Sequence, residues 1–295
     1  TLLCALALLL AGMNGFDALN HALSTISTGG FSTKQLSIAY FQSPAIEYVI
    51  IFFMFFSGVN FTLYYFLVKF NFDKIIKNEE LKYYIIVLVV AAVIIFLSHI
   101  DYNNSSGFRD FEKSFRSSLF IVSSCITSTG LCTEDYTLWN SFTWVVMLVL
   151  MISGASTYST SGGIKISRVV LIVKFCYYEF KKLVHPNAII PVKFNGQIAK
   201  DEMMMRILAF TMIYTLIIVI GTFVLSLSGL GFIESMSGMI TCMSDVGLGL
   251  GQLGPTHSFS EIPVFSKWFL AFVMIVGRLE VYSVLLLFTP EFWKK

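Results

Sequence analysis

Charge is what this 295-residue chain has least of. Asp, Glu, Lys and Arg together make up 13% of it, about half the share of a soluble domain, while hydrophobic residues reach 56% and the mean hydropathy is +0.77. A water-soluble globule is excluded, and an integral membrane protein remains. The five cysteines, Cys4, Cys125, Cys132, Cys176 and Cys242, have no paired spacing and lie mostly in apolar segments, which excludes a disulfide framework and a zinc site. The four histidines are scattered, so neither a metal cluster nor a nucleophile triad can be assembled from them. No Walker A run is present, which excludes nucleotide hydrolysis by that route. Asp and His are missing from the interiors of the apolar spans and Glu280 has no acidic twin, so an intramembrane enzyme would lack its acid/base pair.

What the chain has is apolar length. Residues 45–68, 83–100, 203–227 and 264–288 are each long enough to cross about 30 Å of hydrocarbon, which takes about 20 helical residues. A fifth stretch, 139–183, is too long for one span and is interrupted at 153–163. Residues 1–13 are apolar but have no initiator Met, basic start or small-residue cleavage site; they are expected to be the last part of a spanning helix whose beginning is absent, rather than a signal-peptide core. Fourteen basic residues against seven acids fall in two loops and the C-terminus (Lys69 to Lys82, Lys165 to Arg206, Lys294 and Lys295), which marks these as cytoplasmic. The opposite side holds five basic residues and ten acids. An acidic outer mouth would concentrate cations, although acids also collect outside simply because bases collect inside.

On that outer side a short apolar segment runs three times into a Ser/Thr/Gly stretch, at 23–30, 124–131 and 241–248. Aligning Gly29, Gly130 and Gly247 spaces the copies 101 and 117 residues apart, room for an outer helix, a re-entrant hairpin and an inner helix in each. The apolar segments 16–26, 115–126 and 232–243 are about half a membrane deep as helices. Each is predicted to enter from outside, stop at mid-depth with its carbonyl end aimed inward, and return as extended backbone. The returning carbonyls are Ile26, Ser27, Thr28 and Gly29 in the first copy, Thr127, Ser128, Thr129 and Gly130 in the second, and Ser244, Asp245, Val246 and Gly247 in the third. Irregular backbone at membrane depth is costly unless it lines water, carbonyl rings replace the hydration shell of a potassium ion, and glycine permits the dihedrals that aim them. One such cluster would more often be a helix-packing site; three aligned copies point to an ion pore.

At these residues the chain resembles the Trk/Ktr/HKT superfamily of potassium transporters, most closely its bacterial TrkH type. Residues 24–33 look like that family's second filter and 127–130 like its third. Residues 277–282 followed by 287–293 look like its final inner helix and C-terminus, and 154–165 like the loop that interrupts its third inner helix. The resemblance implies an all-α integral membrane fold of four M1-P-M2 units around one pore, usually dimeric, in the bacterial inner membrane. The units here are expected at 1–69 (the second of four, its outer helix truncated), 82–184 with the interrupted inner helix, and 203–295, with 185–202 as a cytoplasmic linker, and a whole repeat is expected to be missing upstream. The implied function is potassium uptake, the potassium ion being held mainly by backbone carbonyls and coupling to protons or sodium left open. The third filter departs from the family's usual Asn and Gly-Pro-Gly run, carrying Asp245, Leu248 and Leu250. That motivates an alternative reading as a sodium-permeable or weakly selective cation channel.

The stretch 153–163 contains three Gly and six Ser or Thr. By resemblance it is the intramembrane gating loop, with Gly154, Ser156, Thr157, Gly162 and Gly163 as its candidate residues. Arg278 lies between apolar residues 264–276 and 281–288, and Glu280, two residues on, points away from it on a helix. It is expected either to bind loop carbonyls as an electrostatic barrier to cations or to anchor neighbouring helix ends. The basic stretch 174–206, with Pro186 and Pro191, is a candidate docking site for the cytosolic nucleotide-binding regulatory subunit of the TrkA/KtrA type that the resemblance implies; the positive-inside bias and anionic lipid explain the same charge.

Overall fold

The computed structural model describes residues 1–103, 108–185, 191–256 and 259–294. One order of elements recurs three times along them: a helix, a half-length helix entering the protein, and a broken helix. The first set is α1 (Leu2–Leu10), α2 (Gly15–Ser27) and the pair α3 (Pro44–Ser57) and α4 (Phe61–Val68), followed by the short α5 (Phe72–Ile76). The second is α6 (Glu79–Asn103), α7 (Phe108–Ile126) and the pair α8 (Ser141–Ser153) and α9 (Ile166–Val184). A two-stranded hairpin, β1 (Lys193–Phe194) with β2 (Gln197–Ile198), leads to the third: α10 (Asp201–Leu227), α11 (Phe232–Met243), and the pair α12 (Val264–Arg278) and α13 (Val281–Leu287), closed by α14 (Pro290–Trp293).

The helix boundaries follow local chemistry. Asn14, Asn60 and Asn140 each accept a backbone N–H with their side-chain oxygen at the start of α2, α4 and α8, and Pro44 opens α3, where its missing N–H costs nothing. Helices α6 and α10 are long and apolar enough to cross a membrane, yet only 28% of the most apolar window of each is buried inside the protein. Val89, Val90, Val93 and Leu97 on α6, and Leu216, Val219, Ile220 and Phe223 on α10, are exposed in the i, i+3, i+4 pattern of a lipid-facing stripe. The half-length helices are the reverse: residues 238–243 of α11 and 120–126 of α7 are buried on every side. The polar surface of the molecule is thus turned inward, onto the ends of α2, α7 and α11.

The broken helices bend where backbones meet. The axis turns by 95° between α3 and α4 and by 112° between α12 and α13. At the first bend a methyl group on Gly58 would come within 2.5 Å of the Tyr84 hydroxyl and 2.9 Å of a Thr127 methyl, so only glycine lets α3 approach α6 and the end of α7. At the second, Glu280 has φ +63, outside the helical region. Between α8 and α9 the break widens into the connection 154–165.

The element predicted at 232–243 matches α11, and the break predicted at 153–163 falls at 154–165, between α8 and α9. The pore helix expected at 115–126 starts earlier, at Phe108, because its polar first turns continue beyond the apolar window. Of the basic stretch 174–206, expected on the cytoplasmic side, Pro186 lies outside the described residues, and Pro191 leads into the hairpin.

Candidate functional site

Helices α2, α7 and α11 end in the same turn. Gly29, Thr129 and Val246 donate their N–H to the carbonyl five residues back (Ser24, Ser124, Thr241) at 2.8, 2.9 and 2.9 Å, and Thr28, Ser128 and Asp245 donate to the carbonyl three back (Thr25, Cys125, Cys242) at 3.3 Å each. This pair of bonds is the Schellman motif, with the left-handed residue at Thr28 (φ 54), Ser128 (φ 52) and Asp245 (φ 56). None of the three is glycine, so each turn bears a conformational cost of about 1–2 kcal/mol that the surrounding contacts offset. Two residues later comes a positive-φ glycine in each copy, Gly30 (φ 71), Gly130 (φ 78) and Gly247 (φ 87).

These angles and bonds correct the register read from the sequence. The equivalent residues are Ser27, Thr28, Gly29, Gly30; Thr127, Ser128, Thr129, Gly130; and Ser244, Asp245, Val246, Gly247. The first motif sits one residue further along than alignment on Gly29 predicts, because the left-handed position is held by Thr28 and the partner of Gly130 is Gly30. Ile26 therefore leaves the set; its carbonyl lies in the last turn of α2.

The turns touch one another in sequence. A methyl group on Gly30 would overlap the carbonyl oxygen of Thr129, and one on Gly130 would overlap that of Val246, whereas one on Gly247 meets nothing within 4 Å among the described residues. The returning chains are joined as well: Ile38 N–H donates to Cys132 O (3.2 Å), and the buried Tyr136 hydroxyl donates to Gly249 O (2.8 Å). Within a copy, the Ser124 hydroxyl donates to Leu131 O at 2.7 Å and Leu250 N–H to Ser237 Oγ at 3.1 Å. Three helix carbonyl ends, with the negative potential that such ends carry, converge on one place.

The 154–165 connection lies against all three turns. Thr28 Oγ1 donates to Thr160 O (2.9 Å), and Thr160 Oγ1 donates back to Ile26 O and Ser57 O (3.3 Å each). Gly162 N–H donates to Ser128 Oγ at 2.6 Å, and a methyl on Gly162 would overlap Ser244 O and lie 3.4 Å from Asp245 Cβ. The side chain of Asp245, at the position of Thr28 and Ser128, is therefore next to the loop. Gly154 and Gly163, both at positive φ, pack backbone to backbone, and Ser156 N–H donates to Gly58 O at 3.1 Å. Thr157 donates from both its N–H and its hydroxyl to Glu80 Oε1, at 2.6 Å each. Glu80, Thr160 and Lys165, which donates to Ser161, hold the loop but escaped the sequence reading. Their partners are remote in the chain or inside the loop itself, and no local spacing marks them.

Arg278 is not inside a continuous span. It is the last residue of α12, at the bend, where its guanidinium donates to Thr160 O at 2.9 Å. Glu280 pairs instead with Arg168 at 3.3 Å. Arg278, Tyr158, Thr160, Gly162 and Tyr214 line a cavity of about 320 Å³.

Several acids on the side expected to face outward are held by internal bonds. Asp17 accepts from Thr33 Oγ1 (2.5 Å) and faces Lys34 (3.5 Å). The buried Arg116 binds Glu47 at 2.7 Å and also Glu112, and Lys113 pairs with Glu134 at 3.1 Å. These carboxylates brace the returning segments.

Polytopic helical architecture with re-entrant half-helices converging on carbonyl-rich turns defines a class of membrane transport proteins rather than enzymes. The family model described as TrkH, cation transport protein, matches residues 1–295, and the chain belongs to that family. It is 37% identical to the Trk system potassium uptake protein TrkG of Escherichia coli (strain K12) over 294 residues, 99% of this chain and 59% of that protein. It is 33% identical to TrkH of the same organism over 299 residues, 100% of this chain and 60% of that protein. The crystal structure of the potassium transporter TrkH from Vibrio parahaemolyticus superimposes with a TM-score of 0.92 at 31% identity, over 99% of this chain and 62% of that one. The chain thus spans about 60% of the length of these relatives.

Proposed function

We propose that this chain forms three sectors of a potassium-selective uptake pathway in a bacterial inner membrane, the loop 154–165 acting as its gate. The observation that carries the reading is the threefold turn: three re-entrant helices ending in one hydrogen-bond pattern, each bearing a positive-φ glycine two residues beyond the left-handed position. The carbonyls of 27–30, 127–130 and 244–247 are the ligands of the dehydrated ion. A fourth turn, supplied by a further segment, would complete the ring beside Gly247, as Thr129 O does beside Gly30 and Val246 O beside Gly130. Potassium is the cargo, and the relatives named as potassium uptake proteins support this choice of ion.

Gating follows from the loop's contacts. Thr160 and Gly162 touch all three turns, and the Arg278 guanidinium sets a positive charge at the same point. A cation leaving the turns would meet backbone and a like charge. Conduction then requires the loop to move and Arg278 to release Thr160 O. The Asp245 side chain, which motivated a weakly selective reading, lies beside Gly162 of the loop and Gly277 of α12, and the relatives named as potassium uptake proteins favour potassium over that reading. A homodimer and a cytosolic nucleotide-binding subunit of the TrkA/KtrA type complete the proposed assembly, with the basic cytoplasmic face as the docking side.

The test is growth. The full-length parent, expressed in a bacterium lacking its own potassium uptake, should restore growth at limiting potassium, and Gly130→Ser at equal membrane abundance should abolish the rescue. Rescue by both proteins alike would sink the proposal.

A further inference from the structure

Glu79 and Glu80, consecutive in the first turn of α6, face two different parts of the molecule. Glu80 is 3% exposed, and a carboxylate so buried is stable only when its oxygens are satisfied. Oε1 accepts both the N–H and the hydroxyl of Thr157 at 2.6 Å, and Oε2 accepts from Asn60 Nδ2 at 3.3 Å, while Asn60 itself caps α4 through Thr62 N–H (2.9 Å). One carboxylate thus ties the start of α6, the start of α4 and the N-terminal limb of the loop.

Glu79 faces the cytoplasmic hairpin. Its N–H donates to Asn195 Oδ1 at 2.8 Å, and its carboxylate receives Lys174, whose ammonium also donates to Lys193 O at 3.0 Å. The hairpin turn is Asn195-Gly196, both at positive φ, a tight two-residue connection that leaves little internal freedom. Phe194 packs against the buried cluster of Leu171, Val192, Met204 and Ile207, which ties the hairpin to α9 and α10, while Lys193, Asn195 and Gln197 remain exposed. Because adjacent residues of one helical turn move together, a shift of the hairpin shifts both carboxylates.

We infer that Glu80 is a positioning residue that pins the pore loop through Thr157, and that Glu79 couples this pin to the hairpin at 193–198, making the hairpin the handle by which the cytoplasmic side sets the loop's release. The inference rests on the proposed role of the loop as the gate. Moving the hairpin draws the first turn of α6 away from Thr157, and the loop loses two hydrogen bonds to a charged acceptor, the strongest kind available to it.

The experiment is single-channel recording of the full-length protein in planar bilayers under a potassium gradient, with Arg278→Ala as a gate control and Gly229→Ala, in the α10–α11 link, as a neutral one. Glu80→Gln keeps the shape but weakens the acceptor, and Thr157→Val removes one donor while leaving Glu80 bonded to Asn60. Glu80→Gln is expected to raise open probability by about tenfold and Thr157→Val severalfold, as loss of charge-assisted hydrogen bonds predicts, with unchanged reversal potential. Asn195→Ala should raise it in the wild-type background and add nothing in the Glu80→Gln background. If Arg278→Ala opens the pore but Glu80→Gln and Thr157→Val match Gly229→Ala, the pin is overturned while the gate stands. Equal effects of Asn195→Ala in both backgrounds would overturn the coupling to the hairpin. If Arg278→Ala changes nothing either, the gate reading fails and this inference with it.

Discussion

Substituting Gly130 by Ala asks whether the turns must sit as close as they do. Gly130 has φ +78, where a side chain costs about 1–2 kcal/mol. The added methyl would also overlap Val246 O and lie 3.1 Å from its carbonyl carbon, so the turn of the third copy must retreat on the order of 1 Å, twice the tolerance of about 0.5 Å that a pre-organised site allows. Gly229 separates the two effects: its φ is +91 but a methyl there meets nothing within 4 Å, so Gly229→Ala bears the dihedral cost alone. Initial rates of rubidium or potassium uptake by the full-length protein, at matched membrane abundance, should stay within about twofold of wild type for Gly229→Ala. For Gly130→Ala they should fall by roughly a hundredfold, the penalty typical of a 1 Å displacement at a pre-organised site. Both variants should lose a similar 1–2 kcal/mol of stability from the dihedral, to be read by thermal unfolding in detergent. Equal uptake by the two would refute the claim that the Gly130–Val246 approach shapes the pathway.

Replacing Arg278 with Ala removes the hydrogen bond to Thr160 O and the charge at the loop, and steady-state cation flux should rise; flux no higher than wild type, with the protein folded in the membrane, would reject a barrier role. Arg116→Met strands the buried Glu47 carboxylate, so stability should fall on the order of 3 kcal/mol, seen as a lowered unfolding midpoint, while the reversal potential of the surviving protein stays put. Thr160→Val keeps the loop's shape but removes the hydroxyl that reaches Ile26 O and Ser57 O, and should raise open probability less than Arg278→Ala does; a larger rise would mean that the hydroxyl, not the charge, holds the loop.

Features governed by nearest neighbours along the chain were legible before any coordinates. Apolar length gave α6 and α10, the Ser/Thr/Gly runs gave the three turns, and α11 begins and ends at the predicted residues. The register of the first turn was misread because Gly29 and Gly30 are adjacent and composition cannot say which of them follows a left-handed Thr; only the two hydrogen bonds at the end of α2 decide it. Which acids are held internally was not legible for a related reason: charge counts do not reveal that Arg116, on α7, reaches Glu47 at the start of α3. Glu80 was one acid among several in a basic face, since its partners Asn60 and Thr157 lie 20 and 77 residues away. Arg278 looked central in a span because no Pro marks the 112° bend that follows it.

The most direct measurement is the reversal potential of the reconstituted full-length protein with potassium on one side and sodium on the other, for wild type and Gly30→Ser. If the three turns are ion-selective carbonyl sectors in the register described, the wild type reverses close to the potassium potential and Gly30→Ser, whose side chain would overlap Thr129 O, moves it toward zero. A wild type that passes both ions equally, or a Gly30→Ser protein as selective as the wild type, would contradict it.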